Sequence, residues 1–149
     1  VKGISQKYLI DYRENQRQLL TLEDCGKYLM NHFVGQRDEM VLLLCLDAKR
    51  MPLCCRVVSR GSVNTAEVST RKVVEAALSV NATTVVLAHN HPSGIALPSM
   101  EDVVTTRRMG MALSSVDIVL EDHVVVAGRD YVSLVQSGYY DPEQCRMMV

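Results

Sequence analysis

Val85-Val86-Leu87-Ala88-His89-Asn90-His91-Pro92-Ser93-Gly94-Ile95-Ala96-Leu97-Pro98-Ser99-Met100-Glu101-Asp102 is the stretch on which the fold turns. An apolar run closes on two histidines, and a loop then leads to a carboxylate. As a strand, Val85, Leu87, His89 and His91 share one side and Val86, Ala88 and Asn90 the other, so both imidazoles point the same way. Pro92 has no N–H for a sheet ladder and Gly94 tolerates turn dihedrals, so the strand should stop just past His91 with both rings at its open end. Ser99 and Asp102 have capping-box spacing, with Ser99 as N-cap and Asp102 at N3 of a helix running towards Ala112. Two neutral imidazoles and a carboxylate suit Zn²⁺ in a catalytic arrangement with a fourth position for water. Taken alone, Ser99 and Asp102 read more simply as a helix cap and nothing more. The His-x-His pair is the more telling feature, because two imidazoles at the end of an apolar strand need polar partners.

The composition is that of a soluble domain. With 149 residues, 48% hydrophobic and 22% charged, the chain can bury a core without covalent staples. No apolar run approaches the ~20 residues of a membrane span. Val1 to Leu20 is polar and lacks the apolar core of a secretion signal, which makes the cytoplasm the expected location, with no membrane partner. Cys25, Cys45, Cys54, Cys55 and Cys145 show no Cys-x-x-Cys spacing and are expected to be reduced. A net charge of −1 offers no basic footprint for nucleic acid.

Along the chain, residues 1–20 are expected to form a loosely attached N-terminal arm, residues 21–135 the domain, and residues 136–149 a mobile tail. Thr21 caps a helix whose Leu22, Cys25, Leu29 and Phe33 fall on one face, with Gly35 ending it. His32 sits near the helix C-terminus, where a plain role beside the dipole is expected. Met40 to Leu46 is continuously apolar, as in a strand covered on both faces, and a hairpin through residues 47–50 should return Met51 to Ser59. A short extended segment is expected over Gly61 to Glu67, then a helix from Ser69 or Thr70 to Asn81 with Val73, Val74, Ala77 and Leu78 inward. Beyond the Ser99 helix, Val116 to Leu120 and Val124 to Ala127 read as two strands separated by residues 121–123, and Tyr131 to Val135 as a last one. The sum is an α/β fold, a mixed sheet with helices packed on it.

A hydrolytic zinc needs a proton acceptor that is not itself a ligand. The residues alone leave Glu39, Asp47, Glu67, Glu101, Asp117 and Asp122 as candidates.

His89-x-His91, seven intervening residues and Ser99-x-x-Asp102 resemble the JAMM signature of the MPN metallopeptidases. The surrounding wording resembles the bacterial RadC family: His-Asn-His-Pro-Ser-Gly, Pro98-Ser99, Arg107-Arg108 and Asp122-His123 before a valine strand, over about Thr21 to Val135. The resemblance implies a central, partly barrel-like sheet flanked by helices, with an MPN or cytidine-deaminase-like layout. It implies zinc held by His89, His91 and Asp102, with Glu39, just before an apolar strand, as general base and Ser99 as oxyanion donor. The implied reaction is hydrolysis of an amide or isopeptide bond in a protein or peptide substrate. It also implies two alternatives: a DNA repair or recombination role, the sole ground for a nucleic-acid partner, and a non-catalytic interaction module, which would be expected to have lost a ligand. His123 could support the site or simply occupy a turn. Val1-Lys2-Gly3-Ile4-Ser5 resembles the end of a helix-hairpin-helix segment, implying a remnant of a preceding domain. Ile95-Ala96-Leu97 departs from the usual polar loop and suggests a substrate-contacting or homo-oligomer surface. The Asp-His strand also reaches its glycine one residue late.

Overall fold

The computed structural model describes residues 17–61 and 68–148. Along it run α1 (Leu22–Asn31), β1 (Met40–Leu46), β2 (Pro52–Arg60), α2 (Thr70–Ser79), β3 (Thr84–Asn90), α3 (Met100–Ser114), β4 (Val119–Ala127), β5 (Asp130–Ser133) and α4 (Pro142–Met147). The strands form one mixed sheet in the order β2-β1-β3-β4-β5, in which β3 and β4 are parallel and the other neighbours antiparallel. Helices flank the sheet as expected. It is not closed among the described residues, since β2 and β5 form its edges, so the barrel-like aspect stops at an open, mixed sheet. No helix among the described residues is long and apolar enough to cross a membrane.

The apolar runs are continuous because both faces are covered. Val41, Leu43 and Cys45 of β1 and Val85 and Leu87 of β3 pack with Val73 of α2 and Met109 and Leu113 of α3. Their alternates Leu42, Leu44, Val86 and Ala88 pack with Cys25 and Leu29 of α1. This alternation fixes the register, because a one-residue slip would exchange the two faces. Thr21 and Asp24 form the capping box that starts α1. At its end His32 Nδ1 donates to the Tyr28 carbonyl at 2.9 Å, the plain helix-end role.

Three readings need correction. First, residues 121–123 are not a break between strands: Val119–Ala127 is a single strand with a bulge at Glu121, since Val85 pairs with Leu120 and Val86 with Asp122. Both Glu121 carboxylate oxygens accept from Arg50 at 2.6 Å, and Arg50 Nε also donates to the Leu19 carbonyl. A polar triplet inside a strand imitates a turn when its partners lie far away in sequence. Second, α2 turns Val73, Ala76 and Ala77 inward and leaves Leu78 exposed. Third, the segment expected to be a mobile tail carries α4, with Cys145 and Tyr140 buried and the Tyr140 hydroxyl donating to the Leu120 carbonyl at 2.7 Å. The extended segment expected around Gly61 to Glu67 lies outside the described residues from 62 to 67, as does most of the N-terminal arm, from 1 to 16.

Gly110 allows α4 to dock against α3. A Cβ there would overlap the Tyr140 hydroxyl and come within 2.8 Å of Cys145 Sγ. Gly110→Ala is therefore expected to cost about 1–3 kcal/mol through overpacking and to release the C-terminal segment. Denaturant unfolding with limited proteolysis checks this, and a variant of wild-type stability with an intact C-terminus would refute the docking.

Candidate metal centre

The site lies at the C-terminal end of β3. His89 is the penultimate strand residue, and the chain stays extended long enough for the His91 N–H to donate to the Val126 carbonyl at 2.8 Å. Both rings lie on the α3 side, as their spacing requires. Gly94, at φ 89°, turns the chain back towards α3. Ser99 caps that helix: its Oγ accepts the Asp102 N–H at 3.0 Å, and Asp102 Oδ2 accepts the Ser99 N–H at 2.7 Å. Capping does not remove Asp102 from the site. One ligand atom from each of His89, His91 and Asp102 lies within 4.8 Å of the others. His89 Nε2 is 2.9 Å from His91 Nε2 and 3.6 Å from Asp102 Oδ2.

These spacings suit a cation. Three atoms on a tetrahedral zinc at ~2.0–2.2 Å stand about 3.3 Å apart. His91 Nδ1 lies 3.1 Å from the Ile95 carbonyl, which can only accept, so the proton is on Nδ1 and the Nε2 lone pair faces His89 and Asp102. A lone pair beside a second imidazole and a carboxylate, largely out of water, is an arrangement that a metal ion completes.

Burial sets the charge. His89 is pushed down to about 4 by desolvation, with Asp102 opposing and His91 assisting. His123 is fully buried and is pushed down to about 3, again first by desolvation. An imidazole must be neutral to bind metal, and burial supplies that state to His89 before any ion arrives. His123 is not a turn residue: it lies within β4, with Nε2 2.7 Å from His89 Nδ1 and Nδ1 2.6 Å from Thr106 Oγ1. Thr106, one turn beyond Asp102 and completely buried, had no distinguishing mark in the sequence. Only the i, i+4 spacing from Asp102 could have raised it.

The carboxylates separate by position. Asp47 accepts the Lys49 and Met51 N–H groups at the opposite end of β1, and Asp117 precedes β4 at that same far end. Asp122 is buried and accepts from Ser133, the Val135 N–H and the His123 N–H. Glu101 lines a surface hollow with Val104 and Arg108 on the outer side of α3, and Glu67 lies outside the described residues. Glu39 is at the right end of the sheet. Val41 pairs with His89, and Glu39, just ahead of β1, lies two residues before Val41 at that same end. Its backbone is pinned: its carbonyl accepts the Gly61 N–H, while Asn90 accepts the Met40 N–H at 2.7 Å and donates to the Asp38 carbonyl at 3.0 Å.

A groove of about 400 Å³ flanks His91 on the α1 side, lined by Phe33, Gly35, Asn90, Pro92 and Arg129 among others. On the loop leading to α3, Ile95 and Leu97 are 60% and 65% exposed.

Residues 19–139 match the family model described as the RadC-like JAB domain. The chain is similar to a UPF0758 protein of Pseudoalteromonas translucida, at 36% identity over 138 residues, 93% of this chain and 62% of that protein. It is also similar to a UPF0758 protein of Stenotrophomonas maltophilia, at 39% identity over 122 residues, 82% of this chain and 52% of the relative. It thus spans between about half and three-fifths of the length of these relatives.

The depressed histidines predict an acid-side loss of stability in chelator-treated protein. In the unfolded chain both rings protonate near pH ~6.5. The folded protein resists protonation until about 4 for His89 and about 3 for His123. Their contribution is complete above pH ~6.5 and falls as the unfolded state gains protons below it, on the order of 2–4 kcal/mol by pH ~5. Urea unfolding at stepped pH measures it, and stability that is flat or rising between pH ~6.5 and ~5 would contradict the neutral buried pair.

Proposed function

The chain belongs to the RadC-like JAB domain family, and from the convergence of His89, His91 and Asp102 at one strand end we propose that it is a zinc-dependent hydrolase of the JAMM type, cleaving an amide or isopeptide bond. That convergence carries the reading, because two imidazoles and a carboxylate, with one imidazole held neutral by burial, form the donor set of a catalytic metal. A zinc ion bound by these three residues would supply Lewis acidity and lower the pKa of a water molecule.

The remaining work falls to the chain's own residues. Glu39 takes the proton of the attacking water and delivers it to the leaving amine. Its carboxylate makes no ion pair with the described residues, so it is available for that exchange. Ser99 Oγ accepts the Asp102 N–H and keeps its own proton for the carbonyl oxygen as charge develops there. The groove beside His91 and the exposed Ile95 and Leu97 give a peptide or protein substrate two surfaces on which to lie.

Three predictions test this. Wild-type protein is expected to bind about one zinc per chain. His89→Ala and Asp102→Ala should lose it, and full occupancy in both by elemental analysis would sink the ligand assignment. Glu39→Gln should keep its zinc and its melting temperature while kcat falls about 10²–10⁴-fold with KM little changed, measured on whichever peptide or isopeptide is turned over. Ser99→Ala should cost less activity and about 1 kcal/mol of stability through the cap. Unchanged turnover or loss of metal in Glu39→Gln would place the base elsewhere.

A further inference from the structure

Behind His89 a line of buried polar contacts runs away from the site, and only one arrangement of protons fills every contact in it. Thr106 Oγ1 is 2.6 Å from the Asp102 backbone carbonyl and 2.6 Å from His123 Nδ1. A hydroxyl has one proton, and a carbonyl can only accept. The Thr106 proton therefore goes to Asp102, and the Thr106 oxygen accepts from His123, whose single proton is then on Nδ1. His123 Nε2, left bare, accepts from His89 Nδ1 at 2.7 Å. His89 is left with a bare Nε2, the atom that faces His91 and Asp102. The reverse order would hold Thr106 Oγ1 and the Asp102 carbonyl oxygen at 2.6 Å with no proton between them.

We infer that His123 and Thr106 are positioning residues that preset His89 in its Nδ1–H tautomer, so that the chain is ready to take a cation on Nε2 before one arrives. The inference rests on the proposed metal-binding reading and deepens it. The relay begins at the backbone of Asp102, so the helix turn that presents the carboxylate also orients the first imidazole. In the forward order the one contact left without a proton is the 2.9 Å approach of the two Nε2 atoms, with Asp102 Oδ2 beside it. That gap is where a cation would sit. Neither residue touches the position a substrate would take, since both are fully buried behind His89.

The test uses the whole chain, with Co(II) and Zn(II) as probes. Long-range ¹H–¹⁵N spectra of chelator-treated, histidine-labelled protein read the tautomers directly, and Nδ1–H is expected on both His89 and His123. Thr106→Val removes the acceptor for His123 Nδ1–H and should weaken Co(II) and Zn(II) binding about 10–100-fold, while Thr106→Ser restores it. His123→Leu should weaken binding similarly, whereas His123→Gln, whose carbonyl can accept from His89 Nδ1, should recover most of it. A purely structural role would not separate valine from serine, or leucine from glutamine, at matched thermal stability. Should Thr106→Val fail to fold, the wild-type tautomers and the serine variant still decide. An Nε2–H tautomer on His89 in the metal-free protein, or wild-type metal affinity in both Thr106→Val and His123→Leu, would overturn the inference. If wild type takes up neither metal while His89 shows Nδ1–H, the proposed function fails and the relay stands.

Discussion

A polar side chain carried into the interior on a central strand must find partners there, because water cannot reach it and each unsatisfied donor or acceptor costs about 1–3 kcal/mol. β3 imposes that demand twice in succession. It is the middle strand of the sheet, covered on both faces, and it ends in His89 and Asn90, each about 95% buried. Their neighbours exist to answer them. His89 meets His123 on the α3 side, and Asn90, pointing the opposite way, meets the peptide groups of Asp38 and Met40. Strand alternation thus sets a candidate ligand and a backbone clamp back to back, with no spare residue between them.

The same economy holds at the start of α3. A carboxylate at N3 satisfies an N–H and meets the positive end of the helix dipole, contributing about 0.3–1 kcal/mol at an ordinary helix. Asp102 does this while 3% exposed and 3.6 Å from His89 Nε2. A carboxylate held by the Ser99 N–H need not search among rotamers to reach a metal. Helix capping and preorganisation of the site are one interaction viewed from two sides.

The parts legible in the sequence are those whose causes are local. His89, His91, Ser99 and Asp102 fall within fourteen residues, and strand alternation plus a capping box suffices to bring them together. The β1–β2 hairpin and the caps of α1 and α3 are local as well. What stayed hidden depends on pairing between distant segments. The residues alone leave six carboxylates open, and that Glu39 lies at the His89 end of the sheet while Asp47 lies at the other end depends on the register of β1 on β3, which a short window does not encode. His123 reads equally as a turn residue because the Arg50, Ser133 and Thr106 partners that make Glu121, Asp122 and His123 tolerable in a strand come from elsewhere in the chain. The C-terminal segment lacks period because its burial rests on single residues, Tyr140 and Cys145, fitted against Gly110.

The way Glu39 is held bears on what it can do. A carboxylate fixed by an arginine is stabilised in its charged form and makes a poor proton acceptor, and one buried without partners is driven towards neutrality. Asp122 is committed in a related manner, its oxygens taken by Ser133 and two backbone N–H groups. At Glu39 the restraint falls on the backbone: Gly61 holds its carbonyl, and the Asn90 amide holds the peptides on either side. Three hydrogen bonds set where the side chain begins, and all three are made to main-chain atoms. That hold on the main chain follows from placing an asparagine between two histidines at the end of β3.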